Sequence, residues 1–562
     1  ITLVKYPSRL LLNMKKSICI IIFFLTHIVW GQSLYLIISS NNEPANYLRN
    51  LNYTKQHKNV KQLFEEANTV LKTIQKNGYL ESSMLPITRL NDSTFTSEID
   101  FGKQTQFIHI YIGTENNSLI GQNHSEITLP FGESENFLND VMNKLENNGF
   151  SLAKVKLKTL VSKNDTLHAE LDLQLDKKRV LNSIVVNGMD KFPVGFKKQL
   201  ERLYKNKTFN TENLKKLSAD IDQLGFVQQI KFPEVLFTKS NTDIYIYVEK
   251  SKSNSFDGFI GFNTNDKNTL VLNGYLDLSL QNILNSGEKM ALNWKSNGSN
   301  QKDFQLSVEL PFAFNSPVAL KTQLRIFKQD TTFQNTNTHI GLGYYFTAHS
   351  KLFLNYESAE SSDIQNANTA LLNDFTNTFI TADYNFSKHS TDFGAFKESN
   401  FINLKIGSGK RQAKTSNNTQ FYGAVSAQYN WYLNPKNCIA LKSQNYYLQS
   451  DQYITNELYR FGGINSIRGF TENSLQGNLF TSFSTEYRYS VAPTLYVHSI
   501  VDYGYYKDST RNWDDRILGL GFGFGIVTKN GLFHLVYANG SSQNQTLKLN
   551  NSIVQISLKT RF

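Results

Sequence analysis

Three charged residues in the C-terminal half of the sequence are of the types that form strong ion pairs. Arg468 lies in a glycine-rich segment, residues 460–470, which reads Arg-Phe-Gly-Gly-Ile-Asn-Ser-Ile-Arg-Gly-Phe. Asp502 and Glu486 lie downstream, each in a run of alternating polar and apolar residues. A guanidinium donates two parallel hydrogen bonds to a carboxylate, which a lysine does less well. The alternatives are an ordinary solvated loop cation for Arg468 and simple lining of a polar interior for Glu486.

No pattern in the sequence is typical of an enzyme or a metal site. The 10 histidines form neither a His-Glu-x-x-His motif nor a cluster with cysteine, so we predict no metal. Residues 407–410 (Gly-Ser-Gly-Lys) lack the earlier glycine of a phosphate-binding loop, because Leu404 stands there. No helical pattern follows the alternating glycines at 519–525, which excludes a dinucleotide fingerprint. We therefore predict no catalytic residue and no cofactor.

The composition excludes several classes of protein. The 562 residues are enough for several domains of about 150 residues each. With only 2 cysteines the chain is not a small fold held by disulfides. The net charge is +11, but the lysines and arginines are scattered, so no nucleic acid partner is predicted. No apolar run reaches the ~20 residues that each span of a helical membrane bundle needs.

The start of the chain is typical of a secretory signal peptide. Residues 14–31 begin with Met14 and two lysines and continue with about a dozen apolar residues. Val29 and Gly31 are small or tolerable at the −3 and −1 positions of a cleavage before Gln32. The apolar part is short for a membrane span, and an N-terminal anchor helix is the alternative. Residues 1–13 are predicted to be an upstream extension. The mature chain would then keep one cysteine, Cys438, with a structural role.

A unit of helix, glycine and paired strands occurs three times in the first half of the mature chain. Its glycines are Gly78, Gly149 and Gly225, which end the helices and lie 71 and 76 residues apart. A period of this length describes a repeated small domain rather than a solenoid turn. In the first copy, residues 79–90 and 93–101 are predicted strands. We predict α+β modules of βααββ order at residues 32–102, 103–176 and 177–250.

Residues 255–562 contain sixteen segments in which polar and apolar residues alternate. Each segment with its turn takes about 19 residues, which suits the tilted, ~10-residue strands of a membrane barrel. In the last segment Val554 and Ile556 share one face, while Gln555 and Ser557 share the other. Such alternation predicts an all-β, 16-stranded antiparallel transmembrane barrel, with a soluble propeller or sandwich as the alternative. The predicted strands start near 256, 268, 288, 303, 317, 337, 350, 376, 400, 417, 437, 478, 494, 515, 531 and 552.

The connections between these segments also alternate in length. Those after odd-numbered strands are often long, such as 358–375 and 451–477, and those after even-numbered strands are mostly short, such as 433–436. Residues 387–399 break this rule. Long outer loops and short periplasmic turns predict an outer-membrane barrel whose first strand rises from the periplasm.

Together these features resemble a known superfamily, the outer-membrane protein assembly and two-partner secretion proteins of the BamA, TamA and FhaC types. The repeated modules resemble POTRA domains, and residues 460–470 resemble the loop of these barrels that carries an Arg-Gly-Phe or Arg-Gly-Tyr tip. The resemblance implies that this loop folds back into the lumen. Arg468, Gly469 and Phe470 would form its tip.

The resemblance also implies carboxylate partners for the arginine on the inner wall. Asp502 shares the predicted inward face of its strand with His498, and its context resembles the family motif that receives the loop arginine. Glu486 shares an inward face with Arg488 and is the second predicted partner. The glycines at 519–525 are predicted to leave space for the loop, unless they only relieve the curvature of the barrel.

The implied function is an assembly factor without enzymatic activity, located in the bacterial outer membrane with its POTRA modules in the periplasm. Three modules are closest in layout to TamA. The implied partners are unfolded outer-membrane or secreted client polypeptides, periplasmic chaperones, outer-membrane lipid and an inner-membrane-anchored partner of the TamB type. The main alternative is a two-partner secretion transporter that exports a dedicated client through the lumen. An outer-membrane enzyme and a passive porin are minor alternatives.

The first and last predicted strands should form a weak lateral seam. The first strand is short and interrupted by polar residues and two glycines, so its register is poorly specified. A strand of a client could pair with such an edge through main-chain hydrogen bonds. The predicted seam residues are Phe256, Gly258 and Gly261 in the first strand and Ser557, Lys559 and Phe562 in the last.

Overall fold

The chain divides after Lys178 into two compact units. The predicted signal peptide and the extension before it lie outside the described residues. Within the described ranges, no helix is long and apolar enough to cross a membrane. The computed structural model describes residues 33–42, 44, 47–264, 270–297, 301–366, 368–369, 371–388, 399–414 and 417–562.

The N-terminal unit begins with a mixed sheet whose first and last strands are parallel neighbours. Its elements are β1 (Leu34–Ser39), α1 (Tyr47–Asn50), β2 (Gln56–His57), α2 (Val60–Lys76), β3 (Ser83–Met84), β4 (Thr88–Arg89) and β5 (Thr94–Asp100). β1 pairs in parallel with β5 and antiparallel with β2, while β3 and β4 are antiparallel to β5.

Helix α2 covers this sheet because its apolar residues recur at helical spacing and both of its ends are defined. The side-chain oxygen of Asn59 accepts a hydrogen bond from the amide N–H of Gln62 at 2.9 Å, which caps the first turn. The helix ends before Gly78, whose φ of +99° lies in the left-handed region that favours glycine. Among these apolar residues, Val60 and Phe64 stay half-exposed. The buried ones are Leu63, Ala67, Val70 and Ile74.

The segment predicted as one strand at 79–90 is not continuous. It holds only the two-residue strands β3 and β4, which pair separately with β5. Pro86 lies between them, and proline has no N–H group to continue a ladder of hydrogen bonds.

A second mixed sheet completes the N-terminal unit with the same arrangement. Its strand order is β7-β6-β9-β8, with β6 parallel to β9, and its core is closed by the longer of its two helices. The elements are β6 (Phe107–Tyr111), α3 (Asn117–Ile120), β7 (Glu126–Pro130), α4 (Ser134–Asn147), β8 (Lys154–Lys163) and β9 (Thr166–Gln174).

The C-terminal unit starts with a third sheet, in the order β10-β12-β11. Here too the first and last strands along the chain, β10 and β12, pair in parallel. The predicted α/β region of mixed sheets before the barrel is thereby confirmed. The elements are β10 (Ser183–Asn187), α5 (Val194–Tyr204), α6 (Thr211–Asp222), β11 (Val227–Phe237) and β12 (Thr242–Lys250).

The rest of the C-terminal unit is a closed barrel of sixteen strands, each antiparallel to its neighbours, which confirms the predicted fold class. The largest shift from the predicted starts is at β18, which begins at Phe333 rather than near 337. The barrel strands are β13 (Ser255–Thr264), β14 (Leu270–Gln281), β15 (Lys289–Asn297), β16 (Gln301–Leu310), β17 (Val318–Gln329), β18 (Phe333–Tyr345), β19 (Ser350–Asp363), β20 (Phe375–Lys388), β21 (Asn400–Ala413), β22 (Asn417–Asn434), β23 (Asn437–Gln449), β26 (Leu479–Ala492), β27 (Leu495–Asp508), β28 (Trp513–Thr528), β29 (Gly531–Ser541) and β30 (Ile553–Arg561). The short strands β24 (Tyr459–Phe461) and β25 (Leu475–Gly477) pair only with each other and are not part of the barrel wall.

The two faces of the barrel wall have opposite character. On β30 and β28 the side chains of Ile556 and Phe522 point outward and are 58% and 60% exposed. On β27 the side chains of Asp502 and His498 point inward and are buried. This apolar-out, polar-in arrangement is the one that a barrel in lipid requires.

The third sheet and the barrel share one apolar core. The ring of Phe196 on α5 meets the ring of Phe312, in the turn between β16 and β17, edge-to-face at 4.6 Å. Nη2 of Arg202 donates to the carbonyl oxygens of Tyr345 and Phe346, each at 3.1 Å. The third sheet is therefore fixed to this end of the barrel, which we call the base, and the opposite end is the far end.

Candidate functional site: a loop inserted into the barrel

The long connection from β23 to β26, residues 450–478, enters the barrel at the far end. Its hairpin of β24 and β25 stacks on aromatic side chains of the inner wall. The ring centroids of Phe461 and Phe480 lie 4.0 Å apart, and those of Tyr459 and Tyr446 lie 4.6 Å apart. Ile467, next to the tip, is fully buried in the same cluster. Apolar packing therefore holds the loop inside the barrel and carries its tip to the wall.

At the tip, Arg468 is bound to both oxygens of Asp502 on β27. Nε of the guanidinium donates to Oδ2 at 2.8 Å, and Nη2 donates to Oδ1 at 2.5 Å. The backbone N–H of Arg468 also donates to Oδ2, at 2.9 Å. Both side chains are almost completely buried. The pair therefore has the bidentate geometry that is specific to arginine and carboxylate, with an additional main-chain bond that fixes the position of the loop.

Glu486 on β26 lies between two arginines. Its Oε1 accepts a hydrogen bond from Nη1 of Arg468, and its Oε2 accepts one from Nε of Arg488 at 2.8 Å. Nη2 of Arg488 lies 2.7 Å from the same Oε2. Two carboxylates thus face two guanidiniums, so the charges of this group cancel inside the lumen. A buried ionic group is tolerated only when its charges are paired in this way.

The backbone of the tip lies directly against the wall. Gly469 has a φ of +88°, and a Cβ built on it would lie 2.4 Å from the amide nitrogen of Gly540 on β29. The carbonyl oxygen of Gly469 would in turn lie 2.5 Å from a Cβ built on Gly540. Phe470 is buried in the aromatic cluster of the loop. The Arg-Gly-Phe sequence therefore has steric reasons as well as electrostatic ones, because only glycine fits between the loop and β29.

The glycines predicted to make room for the loop divide into two kinds. A Cβ built on Gly519 would lie 2.3 Å from the carbonyl oxygen of Arg468, so this glycine does face the loop. A Cβ built on Gly523 would instead lie 2.4 Å from Nε2 of His498. Gly523 therefore makes room for a neighbouring side chain of the wall rather than for the loop. Sequence reasoning did not single out Gly540, which lies in β29.

The first and last barrel strands, β13 and β30, pair over only two positions, Ser255 opposite Arg561 and Phe256 opposite Thr560. By contrast, β13 pairs with β14 over ten positions and β29 pairs with β30 over eight. The backbones of both strands are described along their whole length, and they form no further ladder positions with each other. Just beyond this ladder, the backbone N–H of Leu558 donates to Oδ1 of Asp257 on β13, at 3.3 Å.

The predicted seam residues occupy both sides of this closure. Phe256 and Phe562 are exposed on the outside, and the N–H of Phe562 donates to the carbonyl oxygen of Asn254 at 3.0 Å. Ser557 and Lys559 line a lumen cavity of about 1250 Å³ that extends from the inserted loop to the seam. Gly258 and Gly261 pair with β14, on the other side of the strand from the seam.

The comparisons with known proteins agree with this architecture. Residues 282–558 match the Omp85 superfamily domain. The chain belongs to the Omp85 superfamily. It is therefore an outer-membrane β-barrel of this superfamily with a POTRA-like N-terminal region.

Solved structures of CdiB and BamA are similar to the chain at low sequence identity. CdiB from Acinetobacter baumannii is 11% identical, with a TM-score of 0.50, and the match covers 100% of both chains, which shows a shared fold. CdiB from Escherichia coli is 13% identical over 90% of this chain and 98% of that one, with a TM-score of 0.49. BamA from Haemophilus ducreyi lacking POTRA domains 1–3 is 14% identical over 80% of this chain and 97% of that one, with a TM-score of 0.46. No curated protein sequence matches the chain.

The charged groups at the loop tip form ion pairs. Among the described residues, no group of three or more histidine, cysteine, aspartate or glutamate side chains is placed to hold a metal ion. The arrangement of Arg468, Asp502 and Glu486 fixes a loop in place. The role of this site is therefore structural, because it attaches the loop to strands β26–β29. In the described part of the chain, the seam between β13 and β30 is not among the parts of the wall that the loop holds.

Proposed function

We propose that this chain inserts or translocates client polypeptides at the outer membrane, with its POTRA-like modules in the periplasm and its seam as the place of exchange. The observation that carries the proposal is the two-position closure between β13 and β30. Ladder positions that two neighbouring strands leave unused in lipid are unfavourable, because no water is present to satisfy backbone N–H and C=O groups. A strand of a client that pairs there supplies the missing partners.

The lumen beside the seam suits a polypeptide in transit. The cavity of about 1250 Å³ is lined by amide side chains and by charged side chains of both signs, including Asp277, Lys295 and Lys559. A polar wall can hydrogen-bond to the backbone of an incoming chain without selecting a particular sequence, as expected for a protein that accepts several clients. On the last strand the outward-facing Ile556 and Leu558 are apolar, so a client strand at the seam would have one polar and one apolar face, like the barrel strands themselves.

The modules supply free sheet edges for earlier contacts with the client. In the second sheet the ten-residue strand β8 is an edge, and in the third sheet β11 is an edge. An extended polypeptide can add to such an edge through main-chain hydrogen bonds, which depend little on its sequence. Periplasmic chaperones and an inner-membrane-anchored partner stay predictions, as does the closeness in layout to TamA.

The inserted loop supports this mechanism by keeping the remaining wall in shape. Arg468 and its carboxylate partners join the loop to β26 and β27, while Gly469 contacts β29. These strands are therefore braced together when β30 separates from β13. The opening is confined to the seam and does not spread through the barrel.

A disulfide across the seam tests the proposal. The register of the two paired positions, continued along the strands, sets residue 260 opposite residue 556. The test protein carries Ile260→Cys and Ile556→Cys in a Cys438→Ala background, because the buried Cys438 lies among apolar side chains. The control carries Leu342→Cys and Leu354→Cys, which face each other on the outside of β18 and β19.

The assay measures the fraction of urea-denatured outer-membrane proteins that fold into proteoliposomes containing each variant. Oxidation should stop folding by the seam variant, reduction should restore it, and the control should work in both states. Normal folding by the fully cross-linked seam variant would rule out lateral opening. Export of a dedicated client through the lumen, as in two-partner secretion, would then be the better account.

A further inference from the structure

A second ion pair anchors the inserted loop, far from Arg468. Arg411 on β21 is bound to Glu457, and the two side chains are 0% and 1% exposed. The carboxylate of Glu457 also accepts hydrogen bonds from Nε2 of Gln420 at 2.8 Å and from the backbone N–H of Ile454 at 3.0 Å. Arg411 is the largest of the fully buried side chains in the described part of the protein. Charges buried to this extent are stable only as a pair.

Polar contacts beside Glu457 attach the same stretch of the loop to three other elements. Nδ2 of Asn456 donates to Oγ of Ser361 on β19 and to the carbonyl oxygen of Asn373, each at 2.7 Å. Nδ2 of Asn335 on β18 donates to the carbonyl oxygen of Asn456, also at 2.7 Å. The backbone of residue 455 is bound to that of residue 371. The segment from 454 to 458 is thus held by β18, β19 and the connection after β19.

These contacts show that the loop crosses the far end of the barrel. The loop leaves β23 and returns to β26, which are neighbours in the wall. Residues 454–458 nevertheless reach strands β18–β22 on one side, while the tip at Arg468 reaches β26–β29 on the other. The loop is therefore a strap with an ion pair at each end.

Arg460, in the middle of the strap, separates two cavities. It lines both the lumen cavity of about 1250 Å³ and a second cavity of about 650 Å³ at the far end. Its guanidinium lies over the rings of Phe327 and Phe333, at 5.4 and 5.3 Å from their centroids, and Nη2 donates to Gln476 at 2.9 Å. The strap and this arginine form the partition between the lumen and the outer cavity.

We propose that Arg411 and Glu457 are positioning residues that hold residues 454–461 across the far mouth and thereby seal the lumen against ions and small solutes. The seal is a function distinct from client assembly and independent of the seam. It follows from the position of the pair, because the segment it holds is the part of the loop that lies between the two cavities. The Arg468 group holds the tip and the wall, whereas the Arg411 pair closes the mouth.

Conductance of the full-length protein in planar bilayers, with potassium chloride as the probe, tests this proposal. Glu457→Gln keeps the shape of the side chain but leaves Arg411 without its carboxylate. The open fraction should rise at least about tenfold, because loss of one partner of a buried ion pair shifts an equilibrium by more than that. The double variant Arg411→Met with Glu457→Leu removes both charges and should return most of the seal. Glu360→Gln, the same change at an exposed position of β19, should conduct like the unmodified protein.

Folding of each variant is checked by the gel shift between unboiled and boiled samples, since closed barrels resist detergent. If Glu457→Gln does not fold, Asn456→Ala serves instead, because it releases the same segment without leaving a buried charge. A folded Glu457→Gln or Asn456→Ala variant that stays as closed as the unmodified protein would overturn the proposal, as would a double variant that leaks as much as Glu457→Gln. Client folding is measured on the same samples, so failure of the seal and failure of the proposed assembly function are distinguished.

Discussion

Gly519 lies where the carbonyl oxygen of Arg468 meets the barrel wall, and a Cβ at this position would approach that oxygen to 2.3 Å. The contact is between two backbones, so neither side can rotate away. The glycine is therefore part of the same site as the ion pair, although it carries no chemistry of its own.

Gly519→Ala should displace the tip of the loop from the wall. Overpacking of this kind usually destabilises a protein by about 1–3 kcal/mol, and here the change would lengthen the bonds from Arg468 to Asp502. Limited proteolysis should cut the loop faster than in the unmodified protein. Gly423→Ala is the matched control, since a Cβ on Gly423 would meet nothing closer than 3.9 Å. Equal protection of the loop in both variants would contradict the assigned contact.

Arg468→Ala and Asp502→Ala should not be additive. Each single change leaves a charge without its partner, at a loss of about 3–5 kcal/mol when burial is complete, whereas the double change removes both charges. Arg468→Lys should rescue only partly, because an ammonium group cannot make the bidentate contact. Unfolding in denaturant, compared across the four proteins of the cycle, measures the coupling. Additive effects would mean that the two residues do not interact in the membrane.

Asp257→Ala should weaken the closure of the seam. Oδ1 of Asp257 accepts a hydrogen bond from the N–H of Leu558 at 3.3 Å and one from the hydroxyl of Tyr275 at 2.8 Å. Loss of the hydrogen bond from Leu558 should destabilise the closed seam by a net ~1 kcal/mol, and oxidation of the cysteine pair at residues 260 and 556 should slow about fivefold. Asp277→Ala, on the neighbouring strand of the same cavity, is the control. An unchanged rate in Asp257→Ala would show that this side chain does not hold the seam.

Phe196→Ala should loosen the third sheet from the barrel. The ring of Phe196 fills the shared core against Phe312, and removal of a buried phenylalanine side chain costs about 3–5 kcal/mol. Hydrogen exchange in the full-length protein should quicken in α5 and in the backbone that Arg202 binds. Phe232→Ala, on the same module but half-exposed, should leave exchange unchanged. Equal exchange in the two variants would argue against a rigid joint at the base.

The fold was predictable from the sequence because each barrel strand repeats the same signal. Lipid outside and water inside demand strict alternation, and sixteen such segments locate the strands without any knowledge of their partners. The first sheet was harder, since Pro86 divides a segment whose residue types otherwise favour one strand.

The candidate site was predictable only where the resemblance to a known family indicated which distant segments come into contact. Alternation along β27 placed Asp502 on the inner face, but the contact with Arg468 required knowing that the loop folds inward. No similar signal existed for Arg411 and Glu457, which are 46 residues apart in sequence. The alternation of polar and apolar residues predicts which side of the wall a side chain faces. It does not predict which loop residue will contact that side chain.

The two-position closure has a consequence for how the barrel forms. Every other ladder of the barrel joins strands that follow one another in the chain, apart from the hairpin inside the loop, whereas Ser255 and Arg561 are more than 300 residues apart. Contacts between neighbours in sequence form first, because little chain entropy is lost in making them. We therefore expect the barrel to grow as an open, curling ribbon whose two edges meet last. Closure of the seam is then the last step of folding, and the seam is the position from which that folding is most easily reversed.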